Sequence, residues 1–190
     1  MPLKVTFELS DKDLRYFRRM MAEVRESAKD TDEAEIVEAA RKLRQQVALD
    51  EVPEFVSIRV AKLDGMIEML DDAEWALSGS DRTRVVRALA YFAEPDDLIP
   101  DKIPGLGFLD DAIMVELVVE ELRHELEAYH DFCHFRHSKQ KLLGKGVDRV
   151  TRERWLAARR KQLQTRMRRR RTRRRSRPGG GGRKSPISLW

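Results

Sequence analysis

The chain has 190 residues, of which 41% are hydrophobic and 37% are charged, a composition that allows one folded domain of ordinary size plus an appendage. Its formal net charge of +5 hides a division, because residues 1–145 carry 21 Lys and Arg against 31 Asp and Glu, whereas residues 146–190 carry 17 against 2. The single cysteine, Cys133, excludes an internal disulfide and suits a reducing compartment. The N-terminus lacks the features of an export signal, and no run of about 18 apolar residues predicts a transmembrane helix.

The first 50 residues predict an extended segment followed by two helices. Apolar and polar residues alternate from Leu3 to Leu9, which is typical of a short strand or an extended arm. Ser10 predicts the N-cap of a first helix over residues 11–29, because its hydroxyl suits the free N–H groups of the first turn. Thr31 is expected to cap the second helix in the same way.

Two more helices are predicted before residue 95. Pro53 suits the first turn of a third, longer helix, whose apolar stripe runs to Leu70. Ser80 or Asp81 is expected to cap the fourth helix. This helix should end before Pro95, because the residue that precedes a proline is displaced from the helical conformation.

The fifth and sixth predicted helices differ in their apolar content. The fifth begins near Asp110 and carries a seam of apolar residues at spacings of four and three, namely Val115, Val119, Leu122, Leu126, Tyr129 and Cys133. The sixth, over about 148–171, has few apolar residues among many arginines, so it should be thinly anchored. The residues beyond it are too polar to fold. The whole pattern predicts an all-α protein, a helical bundle of about five main helices with a disordered basic tail.

The segment over residues 91–113 interrupts the helical pattern with the sequence YFAEPDDLIPDKIPGLGFLDDAI. The order and spacing of its prolines, aspartates and glycines resemble the signature of the YkvA-like family of small bacterial proteins, a domain of unknown function. Several members of that family are predicted to be embedded in membranes. Here the most apolar stretch contains Asp110, Asp111 and three glutamates, whose charges are costly in hydrocarbon, so membrane embedding is not expected.

The aspartates of this segment have two interpretations. Its apolar residues are too many to leave in water, so we expect a buried Pro/Asp/Gly loop between helices four and five. The aspartates would then satisfy backbone N–H groups, with Asp110 capping helix five. Alternatively, Asp97, Asp101, Asp110 and Asp111 converge as oxygen ligands for Mg²⁺ or Ca²⁺, or as an acid and base pair.

Three histidines lie on one face of the fifth predicted helix. His130 and His134 are four residues apart, a spacing at which two imidazoles bind one transition-metal ion. The alternative is a partly exposed edge that packs on a neighbouring helix. Cys133 lies on the apolar seam and is expected to act as a small buried side chain.

The strongest interaction signal is a run of eight arginines within ten positions, namely Arg168, Arg169, Arg170, Arg171, Arg173, Arg174, Arg175 and Arg177. Each guanidinium suits a phosphate group. The run predicts binding to nucleic acid or to an anionic membrane surface, or a tail that is solvated or folds back onto the acidic body. Since no aromatic residue interrupts it, nucleic-acid binding should not depend on base sequence.

These patterns predict an acidic helical domain over residues 1–145, a basic helical extension over 146–172 and a disordered tail over 173–190. We expect a non-enzymatic cytoplasmic adaptor that is tethered to a polyanion by its tail, at the nucleoid or the membrane periphery. The body would then bind a protein partner. No cofactor is expected. The alternatives are a divalent-metal enzyme or metal-binding protein that uses the aspartate loop, and a peripheral membrane protein.

Overall fold

The structure, a computed structural model, describes residues 8–49, 52–93, 99, 103, 107–140 and 148–175. All regular structure within these ranges is helical, which confirms the predicted all-α class. The α-helices are α1 (Asp11–Ser27), α2 (Glu33–Leu49), α3 (Glu54–Val60), α4 (Lys62–Asp71), α5 (Gly79–Leu89), α6 (Leu109–Glu121), α7 (Arg123–Gln140) and α8 (Arg149–Arg175), with short 3₁₀ helices at Ala28–Asp30 and Ala90–Ala93. The predicted extended segment, Leu3 to Leu9, lies mostly outside the described residues.

Helix α6 occupies the centre of the fold because it is apolar around most of its circumference. Eight of its side chains are buried, and the set includes the acidic Asp110 and Asp111. The helix packs against α1, α3, α4 and α7. It is preceded by Phe108, a buried residue in the left-handed conformation with φ of 61°. The residues that follow the predicted loop therefore lie within the core.

The prediction of one long third helix is wrong, because the chain breaks at Ala61 into α3 and α4. The N–H of Asp64 donates to the carbonyl of Ala61 at 3.1 Å, a three-residue spacing that tightens the turn. The break lets α3 pack against α6 while α4 packs against α7. Val60 and Leu63, on either side of it, are both fully buried.

The predicted fifth helix is also divided, at Leu122, into α6 and α7. Leu122 is fully buried, and its N–H donates to the carbonyl of Val118 at 2.8 Å. The apolar spacing continues across this residue unchanged, so the sequence pattern does not show the break. Among the seam residues Val115, Leu122 and Tyr129 are buried, whereas Val119, Leu126 and Cys133 are partly buried.

The predicted helix start is confirmed for α1 and is displaced for α2 and α5. Ser10 caps α1 in a reciprocal capping box with Asp13. Helix α2 starts at Glu33, after Asp32, whose carboxylate accepts the N–H of Ala34, and not directly after Thr31. Helix α5 starts at Gly79, where the φ of 56° is easily adopted by glycine.

The described part of the fourth predicted helix ends before Pro95. Helix α5 ends at Leu89 and continues as 3₁₀ helix to Ala93. Pro95, the predicted terminator, lies outside the described residues.

The connection between α4 and α5 is held by Asp72. Its carboxylate accepts the N–H groups of Glu74 and Trp75 at 2.9 and 3.0 Å. It also accepts the hydroxyl of Tyr129 at 3.1 Å and the guanidinium of Arg136 at 2.6 Å. Burial works to raise the pKa of Asp72, but these hydrogen bonds stabilise the carboxylate more strongly, so the pKa is lowered.

Helix α8 docks on this connection and along α7. The carbonyl oxygens of Glu74 and Trp75 accept hydrogen bonds from Arg160 at 3.1 Å and Gln164 at 3.0 Å. The side chains that anchor the helix in the core are Leu156, Leu163 and Met167. The described part of the predicted helical extension, residues 148–172, therefore packs on the folded body, and its helix continues to Arg175, beyond the predicted boundary.

Candidate polyanion-binding site

The basic residues of α8 form groups that lie on different faces of the helix. Leu156, Leu163 and Met167 are spaced by seven and four residues and are all buried, so they define the inner face of the helix. A run of consecutive arginines must then point in different directions around the helix. The structure separates an inner group, an edge group and an outer group.

The inner group consists of Arg168 and Arg171, which bind two buried carboxylates of the body. Arg168 Nε lies 2.6 Å from Asp81 Oδ2, and Arg171 Nη2 lies 2.9 Å from Asp81 Oδ1. Arg171 Nη1 is also 2.9 Å from Glu125 Oε1. The side chains of Asp81 and Glu125 are each 1% exposed. We call these two residues the acidic pair.

Two further features show how firmly the acidic pair is held. Arg84 of α5 also reaches Glu125, with its Nε 3.1 Å from Oε1. Burial acts to lower the pKa of Arg171, but the hydrogen bonds to Glu125 and Asp81 outweigh it, so the pKa is raised. A buried carboxylate is stable only when its charge is compensated. Arg171, whose side chain is 21% exposed, is therefore part of the structural interface of α8, whereas Arg168, at 53% exposed, lies at its border and is held by Asp81.

The edge group consists of Arg166 and Arg170, which pair with carboxylates of α7. Arg166 pairs with Asp131, and Arg170 Nη1 lies 2.6 Å from Glu127 Oε2. All four side chains are between 41% and 51% exposed. Ion pairs of this kind contribute only about 0–1 kcal/mol, because water and salt screen them. These arginines remain accessible to another anion.

The outer group consists of Lys161, Arg169 and Arg173, which together with the edge group line an open groove of about 710 Å³. Its lining residues are Ala158, Lys161, Gln162, Thr165, Arg166, Arg169, Arg170 and Arg173, which recur at the spacing of one helix face. Five of them are basic, and none is aromatic. Among the residues that the structure describes, no carboxylate pairs with Lys161 or Arg169. The groove is thus a basic surface, and Ala158 is the one apolar residue among those that line it.

The predicted polyanion-binding residues are only partly brought together. Arg169, Arg170 and Arg173 line the groove, whereas Arg168 and Arg171 face the acidic pair. Arg174 and Arg175 belong to α8, but their side chains lie outside the described residues, as does the whole of Arg177. Sequence reasoning missed Lys161 and Arg166, which a helical projection from Leu163 and Met167 would have placed beside Arg169 and Arg170.

The aspartates of the predicted loop do not meet in the part of the chain that is described. Asp97 and Asp101 lie outside it. Asp110 is buried and does not cap α6, which it was predicted to do, because the N-cap is Phe108. Its Oδ2 accepts the N–H of Ile99 at 3.1 Å, and the hydroxyl of Tyr91 lies 3.5 Å away. The backbone-satisfying role is therefore observed for one aspartate, and metal binding by the predicted four stays a prediction.

The histidine pair has the expected spacing on α7. The rings of His130 and His134 are 4.6 Å apart between centroids, and both residues are exposed. Within the described ranges, no group of three or more His, Cys, Asp or Glu side chains is arranged to hold a metal ion. Two imidazoles alone give an incomplete coordination shell. A metal site at this pair stays a prediction.

Comparison with known proteins places the similarity in the middle of the chain. Residues 82–117 match the sequence model of a family described as "Protein of unknown function (DUF1232)". The chain is 45% identical over 42 residues to the "Uncharacterized membrane protein YkvA" of Bacillus subtilis (strain 168), a match that covers 22% of this chain and 40% of that relative. No solved protein structure matches the chain significantly. Within the described ranges, no helix is both long enough and apolar enough to cross a membrane.

The family match covers most of α5, the predicted aspartate loop and the first turns of α6. It confirms the resemblance that the proline and aspartate spacing indicated. Residues 82–117 are therefore similar to the YkvA-like family of unknown function DUF1232, and the match spans less than half of the relative's length.

Proposed function

We propose that this protein is a non-enzymatic adaptor, and that the outer face of α8 attaches its helical body to the phosphate backbone of nucleic acid without regard to base sequence. The observation that supports this proposal is the basic groove, in which five cationic side chains share one helix face. Guanidinium groups bind phosphate oxygens in pairs, which favours arginine in such a surface.

The composition of the groove favours backbone contacts over base recognition. No aromatic side chain is available to stack on a base. The residues from Ala158 to Arg173 extend along about 22 Å of helix, from a rise of about 1.5 Å per residue. A rigid row of charges of this length suits a repeating phosphate backbone. The neighbouring bases would then contribute little to affinity.

Salt dependence of DNA binding tests the proposal. Each phosphate contact contributes about −0.9 to the slope of log affinity against log salt. The double variant Lys161→Gln with Arg169→Gln should therefore flatten the slope for duplex DNA by about 1.8. The matched control is Lys12→Gln with Arg15→Gln, which removes the same charges from exposed positions on α1. Equal slopes for the two double variants would contradict the proposal, as would a wild-type slope near zero.

An anionic membrane surface is the second candidate, and the similarity to the uncharacterized membrane protein YkvA of Bacillus subtilis favours it. The groove lining offers only Ala158 as an apolar side chain, so adsorption would be electrostatic and without insertion. Binding to vesicles with 30% anionic lipid and to neutral vesicles separates the two candidates. Tighter binding to the anionic vesicles than to duplex DNA at equal salt would favour the membrane.

A further inference from the structure

Arginines that are neighbours in the sequence have unequal access to an incoming phosphate. Arg169 lines the groove, whereas Arg171, two positions further on, is bound to both members of the acidic pair. The side chain of Arg171 is 21% exposed. Substitution of either residue removes the same charge from the same helix, so the two positions differ mainly in which way they face.

Release of Arg171 to a phosphate would leave Asp81 with Arg168 and Glu125 with Arg84, so each member of the acidic pair would lose one of its two cationic partners. Asp81 and Glu125 are almost fully buried, and a buried carboxylate is destabilised when part of its compensating charge is removed. Bringing Arg171 to the face of α8 that lines the groove would also require the helix to rotate, which would lift Leu163 and Met167 out of the core. Both effects oppose the recruitment of the inner arginines by a polyanion.

We infer that Asp81 and Glu125 are positioning residues for nucleic-acid binding, which retain Arg168 and Arg171 on the body and thereby fix the face of α8 that meets phosphate. This inference rests on the proposed function and deepens it. The inner arginines contribute to folding and are withheld from the ligand, while the groove residues supply the binding charge. The formal charge of the arginine run therefore overstates the number of phosphates that it contacts.

A matched pair of variants tests the inference with the full-length chain and a duplex DNA of mixed sequence. One phosphate contact corresponds to about a 3.5-fold change in Kd between 50 and 200 mM salt. The quantity to compare is the Kd at 200 mM salt divided by the Kd at 50 mM salt. Arg169→Gln should reduce this ratio by about 3.5-fold. Arg171→Gln should leave the ratio unchanged while it lowers thermal stability. An equal reduction by both substitutions overturns the inference, although the DNA-binding function would stand.

Asp81→Asn gives a second readout in the opposite direction. The substitution keeps the size of the side chain but removes the charge that holds Arg168, whose side chain is already 53% exposed. Arg168 then becomes available to phosphate, so the ratio of Kd values should rise by about 3.5-fold. An unchanged or smaller ratio in the folded variant, checked by circular dichroism, overturns the inference. If the wild-type chain does not bind DNA at 50 mM salt, the proposed function fails and the inference fails with it.

Discussion

Replacement of Leu163 by alanine measures how firmly α8 is docked. Leu163 is 1% exposed and lies between the other two apolar anchors of the inner face, Leu156 and Met167. Truncation of a buried leucine costs about 2–5 kcal/mol, because apolar contacts are lost and a cavity remains. Alanine is a strong helix former, so the helix itself is not weakened. We expect the free energy of unfolding to fall by about 3 kcal/mol.

Urea unfolding, followed by circular dichroism and by tryptophan fluorescence, measures this loss. For a chain of this size, about 3 kcal/mol corresponds to a fall in Tm of about 6–12 °C. The control is Gln162→Ala, at an exposed position of the same helix, which should change stability by less than about 0.5 kcal/mol. If Leu163→Ala costs no more than the control, α8 is not packed on the body in solution. The division of its arginines into inner and outer groups would then lose its basis.

Two further predictions concern buried carboxylates. The lowered pKa of Asp72 means that its carboxylate stabilises the fold above its ordinary pKa of 3.8 and loses that effect as the pH falls through the folded-state pKa. Below about pH 4 the free energy of unfolding should therefore fall more steeply with decreasing pH for the wild type than for Asp72→Asn. Equal pH dependence of the two unfolding free energies would contradict this. Asp110→Ala should lower the free energy of unfolding by about 1–3 kcal/mol, because it removes the acceptor of the Ile99 N–H. Tyr91→Phe should cost less than about 1 kcal/mol, since its hydroxyl lies at a marginal 3.5 Å from that carboxylate, and urea unfolding that ranks the two variants in the reverse order would refute this assignment.

The positions of most helices were predictable from the sequence, because the spacing of apolar residues indicates which side chains are buried on one helix face. The capping box of Ser10 and Asp13 is local, so residues 11–29 were predicted close to the observed α1. The divisions at Ala61 and Leu122 were not predictable, because the apolar spacing continues through both. They arise from packing, which directs α3 toward α6 and α4 toward α7. Such requirements come from other parts of the chain.

The candidate site shows the same limit for charged residues. The arginine run itself was evident, but composition carries no information about which side each arginine faces. Asp81 was interpreted locally as a helix cap, whereas its partners are Arg168 and Arg171, almost ninety residues away in the sequence. An ion pair between residues so far apart in the sequence leaves no periodic pattern in it. The apolar anchors Leu156, Leu163 and Met167 were the sequence signal that could have indicated the inner face of the helix.

The acidic pair also connects α8 to the matched domain. Asp81 directly precedes residues 82–117, which match the family, and Arg84, within that span, shares Glu125 with Arg171. Helix α5 therefore carries Asp81, which binds arginines of α8, and Arg84, which binds the same α7 carboxylate, Glu125, as Arg171 does. Because these charges are buried together, a change in the docking of α8 must alter the environment of the first helix of the domain. The basic helix and the YkvA-like segment are thus energetically coupled through Asp81, Arg84 and Glu125.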